Sequence, residues 1–140
     1  MTDDPRSPAG TDRFARVVAG LGAVFFVVFG LWAMVDPRSF FDTVATFDPY
    51  NQHLIQDIGA FQIGLGVVLA LALAFERTGP LAVCLLGVGL GSGAHLVSHL
   101  VGTDLGGSPE TDIPFFAIMT GLLLAAGLLH WRRAGARSGG

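Results

Sequence analysis

Two histidines, His95 and His99, lie one helical turn apart in a stretch, residues 81–101, that has no charged side chain. At about 1.5 Å per residue, a helix of this length crosses a hydrocarbon core about 30 Å thick. Ionisable groups are rare in such helices, and the first hypothesis for one is a functional role. An imidazole there can pass on a proton, hold a metal ion or bind a ligand. The sequence therefore predicts a polar site inside a membrane-spanning helix.

Polar side chains of the neighbouring segments can join the two histidines. His53 and Asp57 share one stripe of the preceding apolar segment, because they are four residues apart. Asp112 opens the following segment at a similar depth. Since isolated polar groups are costly in lipid, a shared cluster is the economical arrangement. We therefore predict a polar pocket from these residues: His53, Gln56, Asp57, Ser92, His95, His99 and Asp112.

Four interpretations of this cluster stay open. The first is a structural hydrogen-bond network without any cofactor, which is our leading expectation. The second is a pocket for a quinone, a lipid or another small molecule, in which imidazole and carboxylate handle a proton. The third is a haem held by His53 together with His95 or His99. The fourth is a divalent metal site, whose ligands would be His95, His99, His53 and Asp57.

Several classes of protein are excluded by the same sequence. Leu96 follows His95 where a metalloprotease motif H-E-x-x-H has glutamate. No serine, histidine and aspartate can be placed together with an oxyanion hole, so we do not expect a hydrolase. Whether the protein is an enzyme stays open, and a non-catalytic role is favoured. The net charge of −3, without any basic run, argues against a nucleic-acid partner. The single cysteine, Cys84, leaves no intrachain disulfide.

Composition places the polar site in a membrane protein. The mean hydropathy is +0.61 and 14% of the residues are charged, whereas soluble domains have about 25%. The apolar residues form four long blocks instead of an amphipathic pattern. The predicted spans are residues 14–35, 53–75, 80–101 and 113–131.

The polar segments between and beyond the spans have different predicted roles. Residues 1–13 are predicted to be a disordered tail, and residues 132–140 a basic, flexible one. Residues 38–50 mix aromatic rings with aspartates, which fits either a half-helix at the headgroup level or an ordinary loop.

The arginines predict the orientation of the chain. Basic residues favour the cytoplasmic side of a bacterial membrane. With both termini cytoplasmic, Arg38 alone lies outside, and the polar pocket falls in the outer half of the bundle. The remaining arginines then lie on the cytoplasmic side: Arg6, Arg13, Arg16, Arg77, Arg132, Arg133 and Arg137. We predict a multi-pass protein of a prokaryotic plasma (inner) membrane.

Small residues predict how the helices pack. Lipid gives no hydrophobic drive between helices, so close approach of backbones has to hold them together. Self-association, or contact with a redox partner in the bilayer, would use the same kind of surface. The glycines assigned to packing are Gly64, Gly87, Gly89, Gly91, Gly93 and Gly121.

These segments resemble the small four-span DoxX-like bacterial membrane proteins, many of which have no assigned activity. The resemblance lies in a first span that ends at Asp36-Pro37, in residues 50–60 (YNQHLIQDIGA), and in the two histidines of the third span. Relatives often read N-x-H-x-x-R-D-x-G in the second span, where this chain has Gln56 at the arginine position. The resemblance implies a four-helix bundle. Some members of the broader group are partners of redox enzymes, which by analogy implies a redox-linked role.

The sequence thus predicts an all-α, four-helix transmembrane bundle. Its predicted function is that of a small, non-catalytic or accessory membrane protein with a polar His/Asp cluster. The main alternative is a quinone-, haem- or metal-binding subunit of a membrane redox system. A small transporter acting as an oligomer comes third.

Overall fold

A computed structural model describes residues 8–75 and 78–138 of the chain. Four of its helices are long and apolar enough to cross a membrane, which confirms the predicted all-α fold. A short helix and a π-helical turn lie between the first two of them. The helices are α1 (Pro8–Val35), α2 (Pro37–Phe40), the π-helical turn (Phe41–Ala45), α3 (Gln52–Ala74), α4 (Thr78–Val101) and α5 (Pro109–Ser138).

The two terminal helices are longer than the predicted spans. Helix α1 begins at Pro8, so the second half of the predicted disordered tail is helical, while residues 1–7 lie outside the described residues. Helix α5 continues to Ser138, well into the predicted basic tail. Hydropathy marks the part of a helix that lipid can surround, and the helix itself can continue beyond that part into polar residues.

The segment that was predicted as a half-helix or a loop is helical over residues 37–45. Asp36 caps α2 by accepting a hydrogen bond from the Ser39 N–H at 3.1 Å. Phe40 and Phe41 then turn inward and are buried against α1 and α3. Burial of these two rings is what holds the segment on the bundle.

The four long helices form two antiparallel hairpins. Helix α1 packs along α3, and α4 packs along α5. The hairpins meet through α1 and α5 and, with somewhat fewer contacts, through α3 and α4. The main core lies at the meeting of the hairpins and includes Ala19, Phe26, Leu69, Leu85 and Leu123.

Glycines bring the backbones of each hairpin into contact. A Cβ atom at Gly30 would stand 2.7 Å from the Gly59 carbonyl oxygen, and one at Gly59 would stand 2.8 Å from the Gly30 oxygen. Gly66 extends this contact toward Ala23. In the other hairpin, a Cβ at Gly127 would stand 2.8 Å from Leu86 Cγ. Such close backbone approach is the usual basis of helix packing in lipid.

The predicted packing glycines differ in what surrounds them within the chain. A Cβ at Gly89 would stand 2.9 Å from Leu124 Cδ2, so glycine there allows α4 and α5 to approach closely, and a Cβ at Gly93 would make only an ordinary contact at 3.4 Å. The spacing of small residues shows which of them share a helix face, but not which face meets a neighbour. Four glycines have nothing within 4 Å of an added Cβ: Gly64, Gly87, Gly91 and Gly121.

The two ends of the bundle carry different charges. We call the end where α4 stops and α5 starts the histidine end, because His95, His99 and Asp112 lie there. The opposite end, the arginine end, carries Arg13 and Arg16 of α1 and two arginines of α5, Arg132 and Arg133. This separation of charge comes from the antiparallel order of the helices.

Candidate functional site

A cavity of about 450 Å³ lies at the histidine end, between α3 on one side and α4 and α5 on the other. Its volume is in the range of pockets that take small molecules. The apolar part of its wall includes Phe40, Phe47, Ile58, Leu105 and Phe116. The polar part comprises Asp48, Gln62, His95, Ser98, His99 and Asp112.

Two connecting segments cover the cavity at its end. The Gly107 N–H donates a hydrogen bond to the Thr46 carbonyl at 3.3 Å, which ties the loop after α4 to the π-helical turn. Gly106 and Gly107 have φ values of +104° and +80°, in the region that favours glycine. A Cβ at Gly106 would also stand 3.0 Å from Phe47 Cα. The cover is therefore shaped by two glycines and by aromatic side chains packed beneath it.

His95, His99 and Asp112 form a chain of polar contacts along the cavity wall. The Nε2 atoms of the two histidines are 3.2 Å apart, and His99 Nδ1 lies 3.7 Å from Asp112 Oδ2. Asp112 Oδ2 in turn accepts a hydrogen bond from the Ser108 N–H at 2.9 Å. The first turn of α5 thus fixes the carboxylate, and the carboxylate orients His99, which orients His95.

Phe116 holds the two imidazoles in place. Its ring centroid is 4.4 Å from that of His95 and 4.9 Å from that of His99. Phe116 lies one turn after Asp112 on α5, so a single face of this helix supplies both the carboxylate and the ring. The two histidines are therefore packed against an apolar ring, while His95 stays exposed and His99 is half-buried.

Gln62 of α3 lines the same cavity and carries a buried polar atom. Its Oε1 is inaccessible to solvent and has no hydrogen-bond partner among the described residues. A buried acceptor without a donor lowers stability by about 1–3 kcal/mol, so a hydrogen bond to this oxygen would be favourable. Gln62 was absent from the predicted pocket, because the predicted stripe of α3 was that of His53 and Asp57.

The predicted pocket residues separate into two groups. His95, His99 and Asp112 line the cavity together. His53 and Asp57 instead contact each other, with Nε2 and Oδ2 3.4 Å apart, and both are exposed. Ile58 and Gln62 form the face of α3 that lines the cavity, and this face is rotated by about 100° from Asp57.

The two remaining pocket candidates lie outside the cavity. Gln56 Nε2 donates to the Met34 carbonyl at 3.3 Å and so ties α3 to the end of α1. Ser92 is 5% exposed and packs inside the bundle. Both positions are structural contacts between or within helices.

The four predicted metal ligands are not assembled. Within residues 8–75 and 78–138, no group of three or more histidine, cysteine, aspartate or glutamate side chains is placed to hold a metal ion. His95 and His99 are adjacent and line the cavity, whereas His53 and Asp57 contact each other and do not line it. His53, which was predicted to share a haem with His95 or His99, does not line the cavity with them.

Comparison with known proteins found no similar one. No protein-family model, no curated protein sequence and no solved structure matches this chain. The resemblance of residues 50–60 to DoxX-like proteins therefore stays a prediction.

Proposed function

We propose that this small integral membrane protein binds a lipid-soluble molecule in the cavity at its histidine end. The observation that carries the proposal is a cavity whose walls are mostly apolar and aromatic but include a few polar side chains, among them Gln62, His95 and Asp112. Ligand pockets are mostly apolar and contain a few polar groups that fix orientation. A ring or chain with one polar group meets both requirements.

The ligand reaches the cavity from the bilayer. The cavity has walls from α3 and from α4, which are both candidate membrane spans, so its side lies between two lipid-facing helices. Phe61 of α3 and Leu90 of α4 are 77% and 67% exposed, which suits contact with lipid chains. A molecule dissolved in the membrane can therefore enter laterally, without crossing the covered end.

The role is binding rather than catalysis. Ser98, a hydroxyl in the cavity wall, donates to the carbonyl of His95 at 2.7 Å and is engaged with its own helix. His95 and His99 contact each other and Phe116, which fixes their positions as ligand contacts. The protein then acts as an accessory subunit or carrier that presents its ligand to a membrane partner.

The proposal also includes an orientation of the bundle in the membrane, which we infer from its arginines. Four arginines at the arginine end, against Arg38 at the other, support a cytoplasmic arginine end in a prokaryotic plasma membrane. The cavity then opens in the outer half of the bilayer.

Trp32 offers a direct test of binding. Its ring centroid lies 5.5 Å from that of Phe40, which lines the cavity, whereas Trp131 is at the arginine end. In a Trp131→Phe variant, we expect a brominated alkylphenol to quench Trp32 fluorescence to saturation, because bromine quenches only at short range. The measurement is a fluorescence titration in lipid nanodiscs.

The matched control is Trp32→Phe, in which only Trp131 emits. Here the same probe should give weak quenching that rises linearly with its concentration in the lipid. Linear quenching of both tryptophans would mean that the probe only dissolves in the bilayer, and would contradict the proposal.

A further inference from the structure

We propose that His95 and His99 together bind a first-row divalent cation such as Zn²⁺ or Cu²⁺ through their Nε2 atoms, on the wall of the cavity at the histidine end. The site keeps two of the four predicted metal ligands and places Asp112 behind one of them. Binding of this ion does not depend on the lipid-soluble molecule of the proposed function.

The two imidazoles stand at the separation that a shared metal ion requires. Their Nε2 atoms are 3.2 Å apart. With metal–nitrogen distances of about 2.0–2.1 Å, this separation corresponds to a nitrogen–metal–nitrogen angle of roughly 100–105°, close to that of a tetrahedral site. The ring centroids are 4.8 Å apart, farther than the two nitrogens, so the Nε2 corners of the rings incline toward each other. Both lone pairs can therefore converge on one ion.

Phe116 holds the two imidazoles in this arrangement. Its ring centroid lies 4.4 Å from that of His95 and 4.9 Å from that of His99. Because the imidazoles are already packed, they lose little rotational freedom when an ion binds. His53 and Asp57 are also four residues apart, but their side chains are 87% and 50% exposed, so packing restrains them less.

Asp112 favours the tautomer of His99 that a metal ion needs. Its Oδ2 lies 3.7 Å from His99 Nδ1 and accepts a hydrogen bond from the Ser108 N–H at 2.9 Å, which fixes the carboxylate. The negative charge favours the proton on Nδ1, so the lone pair of His99 is on Nε2, where it faces His95. A carboxylate behind a metal-bound imidazole is common in metalloproteins, and it makes the imidazole a stronger ligand.

The remaining coordination positions are open. Within the described ranges 8–75 and 78–138, no third histidine, cysteine, aspartate or glutamate is placed to complete the set. His95 is exposed and the side chain of His99 is 24% exposed, so water can reach the ion. An ion held by two imidazoles therefore keeps positions for water or for an oxygen atom of a molecule in the cavity.

The two ligands select the class of ion. Imidazole nitrogen suits Zn²⁺, Cu²⁺ and Ni²⁺, whereas Mg²⁺ and Ca²⁺ prefer oxygen ligands. We expect calorimetric titration of zinc chloride into the full chain, in nanodiscs of neutral lipid and without a polyhistidine tag, to show one saturable Zn²⁺ per chain. Excess Mg²⁺ should not displace it.

Substitutions to glutamine locate the bound ion. His95→Gln and His99→Gln should each weaken Zn²⁺ binding by at least about tenfold, because each removes a ligand. Asp112→Asn should weaken it by about tenfold, the lower end of the usual effect of losing a carboxylate behind a metal ligand. His53→Gln is the matched control, since it makes the same change in the exposed pair of α3, and it should leave the affinity unchanged.

Pulsed electron paramagnetic resonance of the wild-type chain with Cu²⁺ gives a result that does not depend on whether a variant folds. The remote nitrogen of each bound imidazole modulates the electron spin echo, so the spectrum shows how many imidazoles hold the ion. We expect two.

The proposed ion site would be overturned by Zn²⁺ heats no larger than those of empty nanodiscs, by displacement of Zn²⁺ by Mg²⁺, or by a Cu²⁺ spectrum with a single imidazole. Equal loss of affinity in His53→Gln and His99→Gln would also overturn it. The quenching of Trp32 by a brominated alkylphenol is measured without metal, so the ion site and the proposed function can fail separately.

Discussion

Replacement of Gly59 by alanine is expected to lower the free energy of unfolding by about 3 kcal/mol, the upper end of the usual effect of overpacking. The new Cβ would stand 2.8 Å from the carbonyl oxygen of Gly30 and 3.0 Å from the Cβ of Ala33. Since a backbone oxygen cannot rotate away, α1 and α3 would have to separate along their shared seam. Reversible unfolding in mixed detergent micelles would measure the difference.

Gly64→Ala is the matched control for this substitution. It lies on the same helix, and nothing is within 4 Å of its added Cβ. Alanine is a better helix former than glycine by up to about 1 kcal/mol, so this variant should be as stable as the wild type or slightly more stable. Equal loss of stability in both variants would show that α1 and α3 do not meet at Gly59.

Asp12→Asn is expected to destabilise the arginine end by about 2–4 kcal/mol, since it leaves a charged partner inside the bundle without a counter-charge. Oδ1 of Asp12 lies 3.2 Å from both His130 Nδ1 and Arg133 Nη1. The side chains of His130 and Arg133 are only 5% and 18% exposed. This carboxylate thus joins α1 to α5, the contact through which the two hairpins meet.

The control for this prediction is a solvent-exposed ion pair of the same protein. Asp42→Asn breaks the 2.9 Å contact with Arg38, whose side chain is 63% exposed. Exposed pairs contribute at most about 1 kcal/mol, so this variant should unfold close to the wild type. The interior role of Asp12 would be refuted if the two variants lost the same small amount of stability in thermal unfolding.

The existence of the four spans could be predicted from the sequence, because a long apolar run has few alternatives to a membrane helix. The pairing of His95 with His99 could be predicted too, since it depends only on the period of one helix. Asp112 was placed correctly because the loop before it is short and brings the start of α5 to the level of the end of α4.

The rotation of the helices about their axes could not be predicted. In a soluble protein an apolar stripe shows which face is inside, but in lipid both faces are apolar. Close contacts at Gly30, Gly59 and Gly66 fix the rotation of α3, and they turn Gln62 into the cavity instead of Asp57. Phe40 and Phe47 reach the cavity only through tertiary packing, so no local pattern in the sequence marks them as part of a site.

The central claim, that the cavity at the histidine end is the ligand site, is tested most directly by photolabelling. An alkylphenol that carries a diazirine would be irradiated with the full chain in nanodiscs, and the labelled peptides identified by mass spectrometry. We predict labels on cavity residues such as Phe47, Gln62 and Phe116 that excess pentylphenol removes. Labels confined to lipid-facing residues such as Phe61 and Leu90, and unaffected by excess pentylphenol, would contradict the claim.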